Sequence, residues 1–121
     1  MDMATMLKVA AVLLVVGALG GVLMAFIRFT GNRNPPVWLA MVHGLIAAAG
    51  LTLLAYATFT TEVPTLAKAS LGILLVAALG GAIINLRDHW NRNLISKSWT
   101  IGHFVLAAVG LVLLLRVTWF A

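Results

Sequence analysis

The sequence contains no cysteine and few charged residues. The absence of cysteine among 121 residues excludes disulfides, iron–sulfur clusters, thiolate zinc sites, covalently attached c-type haem and cysteine nucleophiles. Charged residues make up 9% of the chain and apolar residues 63%, whereas soluble proteins contain about 25% and about 45–50%. This composition indicates a membrane protein. The net charge of +5 comes from 8 basic and 3 acidic residues, so it indicates lipid contact and topology rather than a nucleic-acid surface.

Acidic residues are the scarcest charged type, and none is expected inside the membrane. The carboxylates are Asp2, Glu62 and Asp88. Proton-coupled pumps and multidrug exporters need an acidic residue within a span. Hydrolytic sites need a carboxylate beside a histidine or paired with a second carboxylate. Catalysis by the polypeptide alone is therefore not expected.

Charged residues divide the chain into four apolar segments. Each uncharged stretch holds at least 18 residues, and about 20 residues are needed to cross the hydrocarbon of a bilayer. Pro35-Pro36 and Pro64 precede the second and third segments, where a missing N–H is best tolerated. We predict an all-α, four-helix transmembrane bundle forming a single transmembrane domain over residues 1–121. The predicted helices lie near 6–27, 37–59, 65–86 and 98–119.

The distribution of basic residues predicts the orientation. The loops after the first and third helices carry five of them, and the opposite side carries three. The positive-inside rule therefore places both hairpin loops in the cytoplasm and both termini outside it. We expect an integral protein of a bacterial inner membrane, with the lipid bilayer as its surroundings. The five loop residues are Arg28, Arg33, Arg87, Arg92 and Lys97.

The second half of the sequence matches the first at an offset of 60 residues. The matched residues are uncommon in membrane spans: His43 with His103, Gly20-Gly21 with Gly80-Gly81, and Gly50 with Gly110. We predict two tandem two-helix repeats, about 5–61 and 65–121, that share one orientation. Equivalent residues of both halves would then form one pseudo-symmetric site. Recurrence of the first span also favours a retained helix over a cleaved signal peptide.

Two histidines are predicted to lie inside the membrane. His43 and His103 fall about 9 Å inside their helices at 1.5 Å per residue, and ionisable residues at such depth are candidates for function. Glycine pairs fall at nearly the same depth on the other two helices: Gly20-Gly21 and Gly80-Gly81. Two facing imidazoles with flat notches beside them match the axial ligands and the ring clearance that a porphyrin needs.

Basic residues near the same level are candidates for binding the two propionates of a haem. Arg28 and Arg87 follow the two glycine pairs, and a guanidinium suits the carboxylate geometrically and electrostatically. The third histidine, His89, lies beside Asp88 and Trp90 in the second hairpin loop. We predict that His89 is a solvated loop residue.

With these residues the chain resembles the small bis-histidine, four-helix membrane cytochromes that hold haem b and transfer electrons. The resemblance covers the whole chain through its two histidines, glycine notches and basic loop ends. It implies one haem b near one membrane surface, with His43 and His103 as the iron ligands. It also implies an electron-transfer or accessory role between a quinone or redox partner and another protein, within a homo-oligomer or a larger complex. Such families often have four histidines for two haems, and this chain departs from that pattern.

The histidines and the glycine pairs are also consistent with other interpretations. The histidines are also consistent with hydrogen bonds between helices in a structural or assembly subunit that binds no cofactor. Proton or substrate handling is a further possibility, as is a chlorophyll-type pigment bound through one imidazole. The glycine pairs are equally consistent with direct helix packing, because Gly17-x-x-x-Gly21 is a small-residue packing motif.

Overall fold

A computed structural model of the protein describes residues 1–120, and this part of the chain is helical without any strand. The prediction of a four-helix bundle is confirmed. A short π-helix, Asn85–His89, continues the third α-helix directly. The α-helices are α1 (Met3–Thr30), α2 (Val37–Thr60), α3 (Thr65–Ile84) and α4 (Lys97–Trp119).

All four helices are long and apolar enough to cross a membrane. In the apolar window of each helix, only 11–28% of the residues are buried inside the bundle. The remaining apolar side chains face outward, where contact with water would cost free energy in proportion to their area. A bilayer removes this cost, so the fold indicates an integral membrane protein.

The helix starts follow the local sequence. Pro36 and Pro64 directly precede α2 and α3, as predicted. The first and fourth helices begin with side-chain caps. Asp2 Oδ1 accepts the N–H of Thr5 at 2.7 Å, and Ser96 Oγ accepts that of Trp99 at 3.3 Å. These caps satisfy N–H groups that a helix cannot satisfy itself.

The helices form two hairpins that pack side by side. The most extensive contacts are between α1 and α2 and between α3 and α4. Between the hairpins, α1 packs on α4 more extensively than α2 packs on α3. The helices α2 and α4 are therefore diagonal neighbours, and the side between α2 and α3 is the less tightly closed.

The apolar core occupies the half of the bundle that contains the chain termini. Leu54 and Leu114 are fully buried there, together with residues of α1 and α3 such as Leu14 and Leu74. The other half, toward the two hairpin loops, contributes no residue to this core. The loop end has its own smaller set of buried apolar residues: Leu39, Ala40, Ile84 and Ile95.

Two glycines allow the helices to approach closely at the inner limit of the core. A Cβ atom on Gly50 would lie 2.8 Å from Leu14 Cγ, and one on Gly110 would lie 2.6 Å from Leu74 Cγ. Ser70 Oγ donates a hydrogen bond of 2.7 Å to the carbonyl of Gly110 in the same region. Close backbone approach through small residues is a main source of helix association in membranes.

Replacing Gly110 by alanine is expected to destabilise the bundle. The added Cβ would displace Leu74, and overpacking of this kind costs about 1–3 kcal/mol. Thermal unfolding in detergent micelles measures the effect. The matched control is Gly102→Ala on the same helix, where nothing lies within 4 Å of the added atom. Equal melting temperatures for the two variants would contradict the close approach of α3 and α4.

Candidate functional site

The structure brings His43 of α2 and His103 of α4 together across the centre of the bundle. Their ring centroids are 6.4 Å apart and their ring planes are nearly perpendicular, at 85°. Both residues are half-buried. Two intramembrane imidazoles at this separation form a candidate binding site.

Each imidazole is held by a backbone carbonyl of the preceding helix in its own hairpin. His43 Nδ1 lies 2.7 Å from the carbonyl oxygen of Gly17, and His103 Nδ1 lies 2.7 Å from that of Ala77. A carbonyl oxygen only accepts, so Nδ1 must carry the proton in both rings. In the neutral ring, Nε2 then has a free lone pair, which is the usual arrangement in a metal-binding histidine.

The second glycine of each pair makes room for an imidazole. A Cβ on Gly21 would lie 2.9 Å from Cε1 of His43, and a Cβ on Gly81 would lie 2.9 Å from Cε1 of His103. Real Cβ atoms essentially never come this close to another heavy atom. The sequence predicts that all four glycines make room for a porphyrin ring. In the structure, Gly21 and Gly81 lie against the histidines themselves.

The first glycine of each pair has no comparable contact. A Cβ on Gly20 would make an ordinary 3.7 Å contact with His43 Cβ, and one on Gly80 would meet nothing within 4 Å. Neither residue lines the cavity that lies beside the two histidines. The two members of each pair therefore differ in their surroundings, although the sequence treats them alike.

A cavity of about 460 Å³ extends from the histidines toward the hairpin loops. Its volume is within the range of about 300–1,000 Å³ that is usual for small-molecule sites. Its walls are mostly apolar and come from all four helices. Met41 and Leu45 line it and are also 55% and 65% exposed on the outside of α2. The cavity therefore opens sideways at α2, toward the bilayer.

Arg28 is a buried cation in the wall of this cavity. Its Nε donates a 2.8 Å hydrogen bond to the carbonyl oxygen of Ile95. Within residues 1–120 no carboxylate forms a salt bridge with it, and its terminal guanidinium nitrogens have no protein acceptor. A buried charge without a counter-ion is costly in a membrane.

The structure does not bring Arg87 to the same place. Its guanidinium donates two hydrogen bonds to Asp88, at 2.8 and 2.9 Å, and lies 4.9 Å from the centre of the Trp99 ring. Arg87 does not line the cavity. Of the two arginines predicted to bind propionates, only Arg28 is therefore placed to contact a ligand in the cavity.

The prediction that His89 is a solvated loop residue is wrong. His89 is buried and lines the cavity together with the other two histidines. The cause is the π-helix, in which Trp90 N–H donates to the carbonyl of Asn85 at 2.7 Å and so extends the third span. The sequence gives no signal for this, because the offset of 60 residues aligns His89 with Phe29. Short π-helical turns are frequent at functional sites.

A set of hydrogen bonds joins the second hairpin loop to the first loop, to α1 and to the π-helix at the loop end. Asn34 Nδ2 donates to the carbonyl of Asn93 at 2.7 Å, and its Oδ1 accepts the N–H of Ile95 at 2.9 Å. Asp88 Oδ2 accepts the N–H of Ser96 at 3.0 Å. We call these bonds, with the Arg28–Ile95 bond, the loop clamp. The clamp fixes the second hairpin loop over the cavity.

The metal-binding capacity of the protein side chains is limited. Within residues 1–120 no three histidine, cysteine, aspartate or glutamate side chains are grouped to hold a metal ion. A metal bound by protein ligands alone usually needs three or four of them. The histidine pair by itself is smaller than such a set of ligands.

The comparisons with known proteins add no family. No protein-family model, curated protein or solved structure matches this chain. What the fold and the site define is a class: a four-helix integral membrane protein with a paired-histidine cavity at one end.

Replacing Asn34 by alanine is expected to loosen the loop clamp. The variant loses two hydrogen bonds, each worth about 1 kcal/mol. Because about 1.4 kcal/mol corresponds to a factor of ten, the Ile95 amide should exchange its hydrogen roughly thirtyfold faster. Hydrogen–deuterium exchange in micelles measures this. Asn32→Ala is the matched control, because Asn32 is exposed and its side chain makes no hydrogen bond in the structure. Unchanged exchange at Ile95 in Asn34→Ala would show that the clamp does not hold the loop.

Proposed function

We propose that this chain is a membrane haem b protein that transfers electrons between a quinone or redox partner and another protein. In this proposal His43 and His103 would hold the iron of the haem through their imidazoles. The observation that carries it is the pair of imidazoles, whose centroids lie 6.4 Å apart in the cavity and whose Nδ1 atoms are both bound to backbone carbonyls.

The distance between the rings supports this assignment. A metal–nitrogen bond is about 2.0–2.1 Å long, and the nitrogen lies about 1.1 Å from the ring centre. Two imidazoles on opposite sides of one metal ion therefore have centroids roughly 6.3 Å apart, and the observed separation is 6.4 Å. A haem supplies four ligands of its own, so two protein ligands complete the coordination.

The chemistry follows from the ligand set. A haem with protein ligands on both sides supplies one-electron transfer and has no open position for a substrate. The histidines would bind and orient the group, and in the neutral rings their carbonyl partners hold the proton on Nδ1 and leave the lone pair on Nε2. The role is therefore that of an electron-transfer or accessory subunit rather than a stand-alone enzyme. A single site near one membrane surface needs a partner subunit or a second copy to move electrons across the bilayer.

The arrangement of the halves is part of the proposal. We propose that residues 5–61 and 65–121 are tandem repeats of one hairpin in parallel orientation. Support comes from contacts that recur at the same offset, such as Gly21 with His43 and Gly81 with His103. We also propose a bacterial inner membrane as the location, with the hairpin loops in the cytoplasm and both termini outside it.

A second candidate is a structural or assembly subunit that binds no cofactor. The observation in its favour is that the hydrogen bonds of His43 and His103 to carbonyl oxygens already join α2 to α1 and α4 to α3. Polar contacts between membrane helices of this kind contribute about 0.6 kcal/mol on average. Such a subunit would be colourless and would depend on its partners for stability.

Visible absorption with histidine variants tests the main proposal. The purified protein, given hemin and then reduced with dithionite, is expected to show the narrow α band of a six-coordinate, low-spin b-type haem. His43→Ala and His103→Ala are each expected to lose this spectrum because one axial ligand is gone. Added imidazole should restore it if the variants are folded.

The alternatives predict other outcomes of the same measurement. Undiminished low-spin spectra in both alanine variants would exclude the two histidines as ligands. A spectrum without a haem band, even after hemin is added, would favour the structural subunit. The absorption of a chlorophyll-type pigment in the protein as purified would indicate the remaining candidate.

Adjacent glycines provide a sharper test of the imidazole position. Gly81→Ala places a Cβ 2.9 Å from Cε1 of His103, so the ring must move and its bond to Ala77 must weaken. Disturbing the orientation of a metal ligand typically lowers affinity about 10–100-fold. Gly80→Ala has nothing within 4 Å of the new atom and should bind hemin like the wild type. Equal hemin affinities for the two variants, measured by titration, would contradict this role of Gly81.

A further inference from the structure

We propose that Arg28 and His89 together form a carboxylate-binding site at the loop end of the cavity. The inference rests on the proposed function in that the ligand occupies the same cavity as the histidine pair. It assigns the second polar contact of that ligand to His89, a residue of the π-helix, in place of Arg87. The ligand class is an apolar body that carries one or more carboxylates.

Arg28 supplies the positive charge of this site. It is only 9% exposed, and a single one of its nitrogens, Nε, is used by the protein, in the bond to Ile95. The terminal guanidinium nitrogens remain free in the cavity wall. A buried guanidinium with free donors binds a carboxylate strongly, because the hydrogen bonds are charge-assisted and can be bidentate.

His89 supplies the second donor. It is also only 9% exposed, lines the same cavity, and makes no side-chain hydrogen bond within residues 1–120. No fully buried side-chain nitrogen or oxygen lacks a partner in residues 1–120, so the ring nitrogens of His89 that have no partner are accessible to a ligand. An imidazole N–H can donate to a carboxylate whether the ring is neutral or protonated.

No acidic side chain competes for these donors. Asp88 is the carboxylate nearest to His89 in the sequence, and both of its oxygens are used by Arg87 and by the N–H of Ser96. Asp2 and Glu62 lie at the opposite end of the bundle. The three acidic side chains therefore leave these donors available to the carboxylate of a ligand.

The loop clamp keeps the two donors in place. It joins Arg28 to the second hairpin loop through the carbonyl of Ile95, and Asp88 joins the π-helix to the same loop through Ser96. Both donors are therefore anchored to one segment before a ligand arrives. Such preorganisation reduces the entropy that is lost on binding.

The propionates of haem and the head group of a fatty acid share the chemistry that this site recognises. The lateral opening at α2 would admit either from the bilayer. Of these two ligands we propose the haem, because its iron would be bound at one end of the cavity while its carboxylates are bound at the other. The experiment must therefore distinguish haem from a fatty acid as the ligand.

The experiment compares hemin with hemin dimethyl ester, which keeps the ring and the iron but lacks the free carboxylates. Affinities are measured by optical titration in micelles. The wild type is expected to bind hemin about tenfold or more tightly than the ester, because charge-assisted hydrogen bonds are lost in the ester. In Arg28→Gln and His89→Gln this preference should fall several-fold. The ester is the reference in each variant, because a change caused by loss of the Arg28–Ile95 bond would affect both compounds alike.

Arg33→Gln is the matched control for general electrostatic attraction. Arg33 is an exposed basic residue at the same end of the bundle and does not line the cavity. Its replacement should leave the preference for hemin unchanged. A similar loss in Arg33→Gln would show that surface charge alone produces the preference and would overturn the inference.

The outcomes separate this inference from the proposed function. A bis-histidine spectrum with equal affinities for hemin and ester would refute the carboxylate site and leave the haem assignment standing. Failure to bind either compound would refute the haem assignment. In that case thermal stabilisation by palmitate, compared with hexadecanol, decides the inference. Stabilisation specific to palmitate and lost in both glutamine variants would support the site, and its absence in the wild type would refute it.

Discussion

The hydrogen bond from each imidazole Nδ1 to a helix carbonyl is the interaction on which the site depends. It exists because a membrane interior offers no water to compete for either partner. The bond draws the ring of His43 against α1 and the ring of His103 against α3. A side chain at Gly21 or Gly81 would occupy the space of these rings. Histidine and glycine thus form one unit in each hairpin, and removing either changes the position of Nε2.

The bundle has two halves that are stabilised by different interactions. Near the termini, Gly50 and Gly110 let the helices approach, and Leu54 and Leu114 fill the space between them. Toward the loops the helices do not fill the interior, and a cavity remains. A hollow end without support would collapse or open. At this end the helices are held by the loop clamp, whose hydrogen bonds lie at the membrane surface. In the core they are held by dispersion contacts between packed side chains.

The sequence predicts the helices well because their signals are local. Charged residues and prolines mark the ends of the spans, and the structure begins α2 and α3 at the predicted residues. The histidine pair can be predicted because its two members match at the offset of 60 residues. Their pairing depends on how whole helices are arranged and not on a local turn. The surroundings of the loop end are not predictable in this way. The π-helix at Asn85–His89, in which Trp90 N–H bonds to the carbonyl of Asn85, has no marker in the sequence, and His89 lies buried at its end.

The two halves agree at the histidines and differ at the loop end, and this difference has a functional consequence. At the offset that aligns the histidines, Arg28 matches Asp88 and Phe29 matches His89. The first half therefore contributes a cation, Arg28, to the cavity, whereas the second contributes an imidazole, His89. The carboxylate of Asp88 does not line the cavity and is paired with Arg87. A planar ligand bound symmetrically by two imidazoles could sit in several rotational positions about the axis that joins them. Donors concentrated at one end would select the positions in which its carboxylates face the hairpin loops. The asymmetry would thus fix the orientation of the ligand, which the histidine pair alone leaves free.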